Sequence, residues 1–212
     1  MRSDEVQSVL ADRVEALRES LTERWGDVPH RVRDPIHVPE YDFPRTPDDI
    51  FPWVAVCFVV EDGRVLLIQD SGHSSEWEPP GGKGEALRAS KKANGEFREQ
   101  GETLRVSERA SGEHREQGDR GESVAETAER ETREETGIEC EATDLLFTET
   151  LRFDYGNGVP MPVLQAGFVA RQVGGEIHPT AAAIENASWF GVEEIPDGTQ
   201  FAEEIRSLDT ER

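Results

Sequence analysis

The sequence has few cysteines and no long apolar run, and each shortage excludes a class of protein. Its 212 residues include two cysteines, Cys57 and Cys140, which are too few for the disulfide framework of a small secreted protein. No apolar run approaches the ~18 residues that a membrane-spanning helix requires. The N-terminus is polar and of mixed charge, unlike a secretory signal. We therefore expect a cytoplasmic protein with no membrane partner.

Lysine is also scarce, and the overall charge is strongly acidic. The chain carries 45 Asp and Glu against 23 Lys and Arg, a formal net charge of −22, and its only lysines are Lys83, Lys91 and Lys92. Such a surface repels the phosphate backbone, so we expect no nucleic-acid partner. A composition with excess Asp and Glu and little lysine resembles that of proteins adapted to high salt, where dissolved ions screen the repulsion between surface charges. The alternative is an acidic protein without that adaptation.

The first 50 residues are predicted to form an extension to the main domain. Apolar residues recur at helical spacing over residues 4–24, which predicts an amphipathic helix; they are Val6, Leu10, Val14, Leu17 and Leu21. Prolines then punctuate residues 29–52, which indicates an extended connector. We expect the helix to pack against the main domain, and a homodimer contact through it is the alternative.

Residues 51–212 are predicted to form one domain of mixed α/β (α+β) class. Apolar strands are expected over 53–60 and 65–69, joined by a hairpin turn at Asp62-Gly63. A helix is expected over 124–136, with Ser123 as its N-cap and Gly137 at its C-terminal end. Further strands are expected near 145–153, 163–171 and 187–190, with a short helix near 201–208. This order does not follow a regular alternation of strands and helices.

A tandem repeat interrupts this domain at residues 84–117. The two copies, GEALRASKKANGEFREQ and GETLRVSERASGEHREQ, have 17 residues each and are identical at 11 positions. They contain seven acidic and seven basic residues and almost no large apolar ones. The repeat cannot bury a core of its own, so we expect it to be disordered or loosely helical.

Three glutamates are concentrated near the end of the predicted helix. Glu131, Glu134 and Glu135 stand at i, i+3 and i+4, positions that share one face of a helix. Like charges in one patch repel each other unless a cation lies between them. A hard divalent cation with oxygen ligands is the natural candidate.

These glutamates belong to a longer pattern that becomes visible when residues 84–117 are removed. The joined sequence fits G-x5-E-x7-R-E-U-x-E-E-x-G-U, where U is an aliphatic residue, and Thr132 is the only mild departure. The matching residues are Gly82, Glu122, Arg130, Glu131, Glu134, Glu135, Gly137 and Ile138. This pattern resembles the signature of the Nudix hydrolases, and the resemblance extends more loosely over residues 52–196. It implies a mixed β-sheet sandwiched between helices.

The resemblance also implies a metal site. Glu131 and Glu135 would be the first-ranked Mg²⁺ ligands, followed by Glu134 and the backbone carbonyl of Gly82, and Mn²⁺ is the alternative ion. Glu122 would be an additional carboxylate at or near this site.

The remaining roles concern orientation, proton transfer and substrate binding. Arg130 would orient the glutamates through charge-assisted hydrogen bonds. The general base would be a glutamate of the motif or a distal one, for which Glu185 is the first candidate and Glu176 the second. Lys83 is a candidate phosphate contact. Tyr155 stands 17 residues after the motif, where some dinucleoside polyphosphate hydrolases of the family carry a tyrosine.

The implied activity is Mg²⁺-dependent cleavage of the pyrophosphate linkage in a nucleoside diphosphate joined to another group. Tyr155 slightly favours a dinucleoside polyphosphate or a (d)NTP as the substrate. The alternatives are an ADP-ribose or NADH pyrophosphatase and a catalytically weak regulator that binds a nucleotide.

Overall fold

The computed structural model describes residues 1–39, 41–71, 76–84, 97–98, 103–104 and 122–208. The helices are α1 (Ser3–Trp25), α2 (Val124–Thr136) and α3 (Ala202–Arg206). The strands are β1 (His30–Val32), β2 (Ile36–His37), β3 (Trp53–Glu61), β4 (Arg64–Asp70), β5 (Gly81–Lys83), β6 (Phe97–Arg98), β7 (Thr103–Leu104), β8 (Ile138–Asp154), β9 (Met161–Gly175) and β10 (Ile184–Gly191). A short 3-10 helix spans Pro47–Asp49. No helix in these ranges is both long and apolar enough to cross a bilayer.

A single mixed sheet dominates the fold. Its strands run in the order β1-β8-β9-β3-β4-β10, with β2 paired to β8 and β5 paired to β3. β3 and β9 are parallel, whereas β8–β9, β3–β4 and β4–β10 are antiparallel. The predicted mixed α+β class is therefore confirmed. β5 contributes the glycine strand at one end of β3.

The two faces of the sheet are covered by different segments. On one face, Ala125 and Ala128 of α2 pack with Ala55 and Ala166. On the other, the C-terminal segment with α3 packs against Phe58 and its neighbours. α1 packs on β8 and β9 as the sequence favours, and its buried residues are Val6, Leu10, Val14 and Leu21.

The helix α2 begins and ends where its sequence predicts. The Ser123 side chain accepts a hydrogen bond from the Glu126 backbone N–H at 3.3 Å, and the Ser123 N–H donates to the Glu126 carboxylate at 2.7 Å. This reciprocal pair satisfies two backbone donors at the start of the helix. Gly137 ends it with a positive φ of 80°, and its N–H donates to the Arg133 carbonyl at 2.9 Å.

The connector and the tandem repeat each contain described strands. Within the connector, β1 and β2 add parallel to β8, so this segment is part of the sheet. Within residues 84–117 the structure describes Gly84 and the strands β6 and β7, which form an antiparallel pair. The prediction for the rest of the repeat lies outside the described residues.

Candidate active site

The glycine strand β5 presents its backbone to α2. Cys57 N–H donates to the Pro80 carbonyl at 2.8 Å, and Gly84 N–H donates to the Trp53 carbonyl at 3.0 Å. Ala55 lies opposite Gly82 in the antiparallel ladder. Hydrogen-bonded and non-hydrogen-bonded residue pairs alternate along such a ladder, so the N–H and C=O of Gly82 both point toward β3. The N–H and C=O of Gly81 then point away from β3, and this N–H donates to Glu135 Oε2 at 3.0 Å.

This register corrects the sequence-based choice of a carbonyl ligand. The Gly82 carbonyl accepts from Ala55 within the ladder, so it does not face the glutamates. The Gly81 carbonyl lies on the open side of β5, beside the group that binds Glu135. The expected carbonyl ligand is therefore one residue earlier than the sequence alone suggested.

Gly82 has a different role in the site. A Cβ atom at Gly82 would lie 2.4 Å from Glu131 Cδ and 2.6 Å from its Oε1. These distances are far below van der Waals contact, so only glycine lets the Glu131 carboxylate approach the strand.

Arg130 ties the glutamates and the glycine strand together. Its Nε donates to Glu122 Oε1 at 2.6 Å, its Nη1 to Glu131 Oε1 at 2.9 Å, and its Nη2 to the Lys83 carbonyl at 3.3 Å. Nη1 also lies 3.5 Å from Glu134 Oε2. Burial works against the charge of this guanidinium, but Glu122 and Glu131 outweigh it and raise the pKa of Arg130.

The three glutamates of the motif, Glu131, Glu134 and Glu135, differ in exposure. Glu131 and Glu135 are buried, with 6% and 3% of their surface exposed, and they face β5. The Glu134 side chain is 46% exposed and turns toward Arg130. Burial raises the pKa of Glu131 to about 7, although the neighbouring Arg130 opposes this shift.

A further carboxyl group, Glu78, was not identified from the sequence. It is 8% exposed, and its backbone bridges to Ile68 through two hydrogen bonds of 2.8 and 3.0 Å. Burial, then Glu135 and Glu76, raise the pKa of Glu78 well above its usual range. Its position three residues before Gly81 is the signal that could have identified it.

The donor set fits a hard divalent cation. Glu131, Glu135 and the Gly81 carbonyl offer only oxygen ligands, which Mg²⁺ and Mn²⁺ prefer. Across the described ranges, no three acidic, histidine or cysteine side chains converge into a complete ligand set. A cation here would therefore complete its shell with the carbonyl, water and substrate, as Mg²⁺ commonly does.

Three other residues singled out from the sequence, Lys83, Glu185 and Glu176, have the following surroundings. Lys83 places its Nζ 4.8 Å from the centre of the Phe51 ring. Glu185 is exposed at the bulge where β10 pairs irregularly with β4. Glu176 is exposed beside the C-terminal end of α2, where a Cβ on Gly137 would meet its carbonyl at 2.7 Å.

Tyr155 lies among apolar residues of the connector. Its ring meets that of Phe43 edge-on at 5.7 Å, and burial raises its pKa. The substrate-binding role of Tyr155 stays a prediction.

Comparison with known proteins agrees with this geometry. Residues 51–208 match the family model of the NUDIX domain. The chain belongs to this family. The resemblance seen in the split glutamate motif is thereby confirmed, and the matched Nudix region contains both the glycine strand and α2.

The curated relatives that match part of this chain share one name. A segment of 77 residues is 34% identical to the NAD-capped RNA hydrolase NudC of Chromobacterium violaceum, covering 36% of this chain and 26% of that protein. A segment of 76 residues is 36% identical to NudC of Pseudomonas aeruginosa, covering 36% and 25%. The chain thus matches about a quarter of the length of these relatives.

Two solved structures superpose on most of the chain. A MutT NUDIX hydrolase from Burkholderia pseudomallei aligns over 84% of this chain and 100% of its own, with a TM-score of 0.46 and 19% identity. An ADP-ribose pyrophosphatase from Streptococcus suis aligns over 73% and 86%, with a TM-score of 0.43 and 14% identity. These likenesses concern the fold and carry no conclusion about substrate.

Proposed function

We propose that this Nudix protein is a divalent-metal-dependent hydrolase that cleaves the pyrophosphate linkage of a nucleoside diphosphate joined to another group. The observation that carries the proposal is the pair of buried carboxylates on the glycine strand: Glu135 accepts from the Gly81 N–H, and Glu131 lies against Gly82. Buried carboxylates are unfavourable without a compensating positive charge, and Arg130 supplies one to Glu131.

Each residue contributes a distinct function in this proposal. Glu131, Glu135 and the Gly81 carbonyl would hold Mg²⁺ or Mn²⁺, and the ion would neutralise phosphate oxygens and lower the pKa of the attacking water. Arg130 holds Glu131 in place and positions its positively charged guanidinium beside the Lys83 carbonyl. Lys83 binds a phosphate oxygen of the substrate.

The proton acceptor and the accessory carboxylates form a second part of the proposal. Glu134 is exposed beside Arg130 and could bind a further hydrated cation, with Glu122 supporting Arg130 from the other side. Glu185 is proposed as the general base, with Glu176 as the second candidate. Both are exposed, so each is free to exchange a proton with solvent.

The substrate class is proposed from two sources. Tyr155 favours a dinucleoside polyphosphate or a (d)NTP, through the family pattern. The 34% identity to NudC over 77 residues favours an NAD-type dinucleotide as the second candidate. These relatives are named as hydrolases of NAD-capped RNA. The substrates to be tested, which we call the substrate panel, are therefore a dinucleoside polyphosphate, a (d)NTP, ADP-ribose, NADH and NAD-capped RNA. The absence of a nucleic-acid partner, the homodimer, the cytoplasmic location and salt adaptation stay predictions.

The proposal is tested by hydrolysis of this panel with Mg²⁺ at low and high salt. Glu131→Gln and Glu135→Gln should each lower kcat about 100-fold or more, since a catalytic metal contributes several kcal/mol. Glu141→Gln is the matched control, because Glu141 forms only an exposed ion pair with Arg171. Equal activity in all four proteins would refute the assignment of the metal ligands.

A further inference from the structure

Trp53, the first residue of β3, contacts the end of the glycine strand where the glutamate motif is interrupted. The Gly84 N–H donates to the Trp53 carbonyl at 3.0 Å. A Cβ atom on Gly84 would lie 2.2 Å from Cε2 of the indole and 2.3 Å from its Nε1. Only glycine permits such an approach, so the residue after β5 rests directly on the indole ring.

The same indole is joined to the other end of the interruption through one buried threonine. Trp53 Nε1 donates to Thr127 Oγ1 at 2.9 Å, and Thr127 Oγ1 donates to Glu122 Oε2 at 2.8 Å. Thr127 has 0% of its surface exposed. Residues 85–121 lie between Gly84 and Glu122 in the sequence, so no short covalent link sets the distance between these two residues. Trp53 contacts the first directly and the second through Thr127.

Glu122 in turn fixes the orientation of Arg130. Its Oε1 accepts from Arg130 Nε at 2.6 Å, and its Oε2 accepts from Arg130 Nη2 at 3.3 Å. This paired contact fixes the plane of the guanidinium, whose Nη1 donates to Glu131 Oε1 at 2.9 Å. A continuous series of hydrogen bonds, which we call the Trp53–Glu131 network, therefore links the indole to a proposed metal ligand; its members are Trp53, Thr127, Glu122, Arg130 and Glu131.

The Thr127 hydroxyl has one proton and two acceptors within reach. The Ser123 carbonyl, one helical turn earlier, lies 3.2 Å away. Two other buried threonines of α2, Thr132 and Thr136, donate to carbonyls of this kind at 2.7 and 2.6 Å. At Thr127 the Glu122 carboxylate is closer, at 2.8 Å, and a charged acceptor forms the stronger hydrogen bond. The geometry therefore favours donation to Glu122.

The network begins on a rigid part of the fold. Trp53 pairs with Leu164 of β9, and the next residue of β3 pairs with Lys83 of β5. The Trp53 side chain packs against the core that contains Ala125 and Ala128 of α2. A side chain held by a central strand and by packing is a precise reference for the groups that it contacts.

From these observations we propose that Trp53 and Thr127 are positioning residues for the metal site. They hold Glu122 at a fixed place relative to β5. Glu122 sets the plane of Arg130, and Arg130 directs the Glu131 carboxylate. The two halves of the interrupted motif are thus held together by residues that are not fixed positions of the motif. The inference rests on the proposed function, since Glu131 is a ligand of the proposed cation.

A double-mutant cycle on Mn²⁺ affinity tests this inference in the full chain. Electron paramagnetic resonance measures the Mn²⁺ dissociation constant of the wild type, Thr127→Val, Glu122→Ala and the double variant. Thr127→Val should weaken Mn²⁺ binding at least about three-fold, less than the 10- to 100-fold typical of direct partners of a ligand, because Thr127 acts through two other residues. In the Glu122→Ala background the same substitution should change the affinity by less than about two-fold.

Three single variants distinguish positioning from a general effect on packing. Thr127→Ser keeps the hydroxyl and should bind Mn²⁺ within about two-fold of the wild type. Trp53→Phe keeps an aromatic ring without the Nε1–H donor and should weaken Mn²⁺ binding, as Thr127→Val does. Thr132→Val is the matched control and should leave the affinity unchanged, because this buried threonine of the same helix donates to the Ala128 carbonyl within α2.

Two results would overturn the inference. The first is that Thr127→Val binds Mn²⁺ as tightly as the wild type. The second is that Thr127→Val weakens binding by the same factor with and without the Glu122 carboxylate. A loss of packing, or of a hydrogen bond to the Ser123 carbonyl, would give that second result.

Hydrolysis of the substrate panel, measured on the same proteins, separates this inference from the proposed function. Weaker Mn²⁺ binding in Thr127→Val, together with no hydrolysis by the wild type, would refute the proposed function and support the role of Thr127. Hydrolysis by the wild type, together with unchanged kcat and Mn²⁺ affinity in Thr127→Val, would refute the role of Thr127 and support the proposed function. A wild type that neither binds Mn²⁺ nor hydrolyses any substrate would refute both.

Discussion

Substitution of Gly82 by alanine should inactivate the protein while leaving it folded. The added Cβ would lie 2.4 Å from Glu131 Cδ, about 1 Å inside ordinary van der Waals contact. The clashing atoms are the end of a flexible side chain, so the carboxylate can move aside at little cost in stability. A displacement of about 1 Å in a catalytic group lowers activity about 100-fold.

The assay for this prediction measures kcat with the best substrate of the panel, together with the midpoint of thermal unfolding. Gly191→Ala is the matched control, because its Cβ would also meet a flexible carboxylate end, Glu194 Oε2 at 3.2 Å, away from the site. We expect both variants to unfold within a few degrees of the wild type, and only Gly82→Ala to lose activity. Full activity in Gly82→Ala would refute the placement of Glu131 against β5.

Two further predictions concern Arg130 and the protonation of Glu131. Arg130→Lys keeps the positive charge but loses the planar guanidinium that contacts Glu122, Glu131 and the Lys83 carbonyl. We therefore expect kcat to fall about 10- to 100-fold. Arg133 is exposed, so the control Arg133→Lys should leave kcat unchanged. The raised pKa of Glu131, about 7 against 4.5, means that the folded protein holds this proton more tightly than the unfolded chain. Without metal, this contribution to the free energy of unfolding, up to about 3 kcal/mol, is present below about pH 4.5 and lost as pH rises through about 7. Urea unfolding in EDTA at pH 5 and pH 8 measures it, and Glu131→Gln should reduce the difference between the two values; an unchanged difference would contradict the shift.

Local sequence signals predicted the ends of α2 and the turn between β3 and β4, because these features depend on residues close together in the chain. Ser123 and Gly137 bound α2 because the cap bonds form within a few residues of each end. The turn between β3 and β4 follows from Asp62 and Gly63, whose φ values of 49° and 73° match the predicted hairpin geometry. The split motif identified the family once the repeat was removed.

Features that depend on strand register could not be predicted in this way. Register decides that Gly81, and not Gly82, turns its carbonyl toward the glutamates. The pairing of Glu149 with Gln165 joins residues distant in sequence that otherwise read as polar interruptions of apolar strands. Glu134 is exposed on α2, whereas Glu131 and Glu135 face β5, and this difference depends on how the helix packs on the sheet.

The central claim is that the buried carboxylates of α2 bind a divalent cation, and Mn²⁺ titration followed by electron paramagnetic resonance tests it most directly. We predict that wild-type protein and Glu141→Gln bind Mn²⁺ with equal affinity, and that Glu135→Gln binds it at least about ten-fold more weakly. Equal Mn²⁺ affinity in the wild type and Glu135→Gln would contradict the claim.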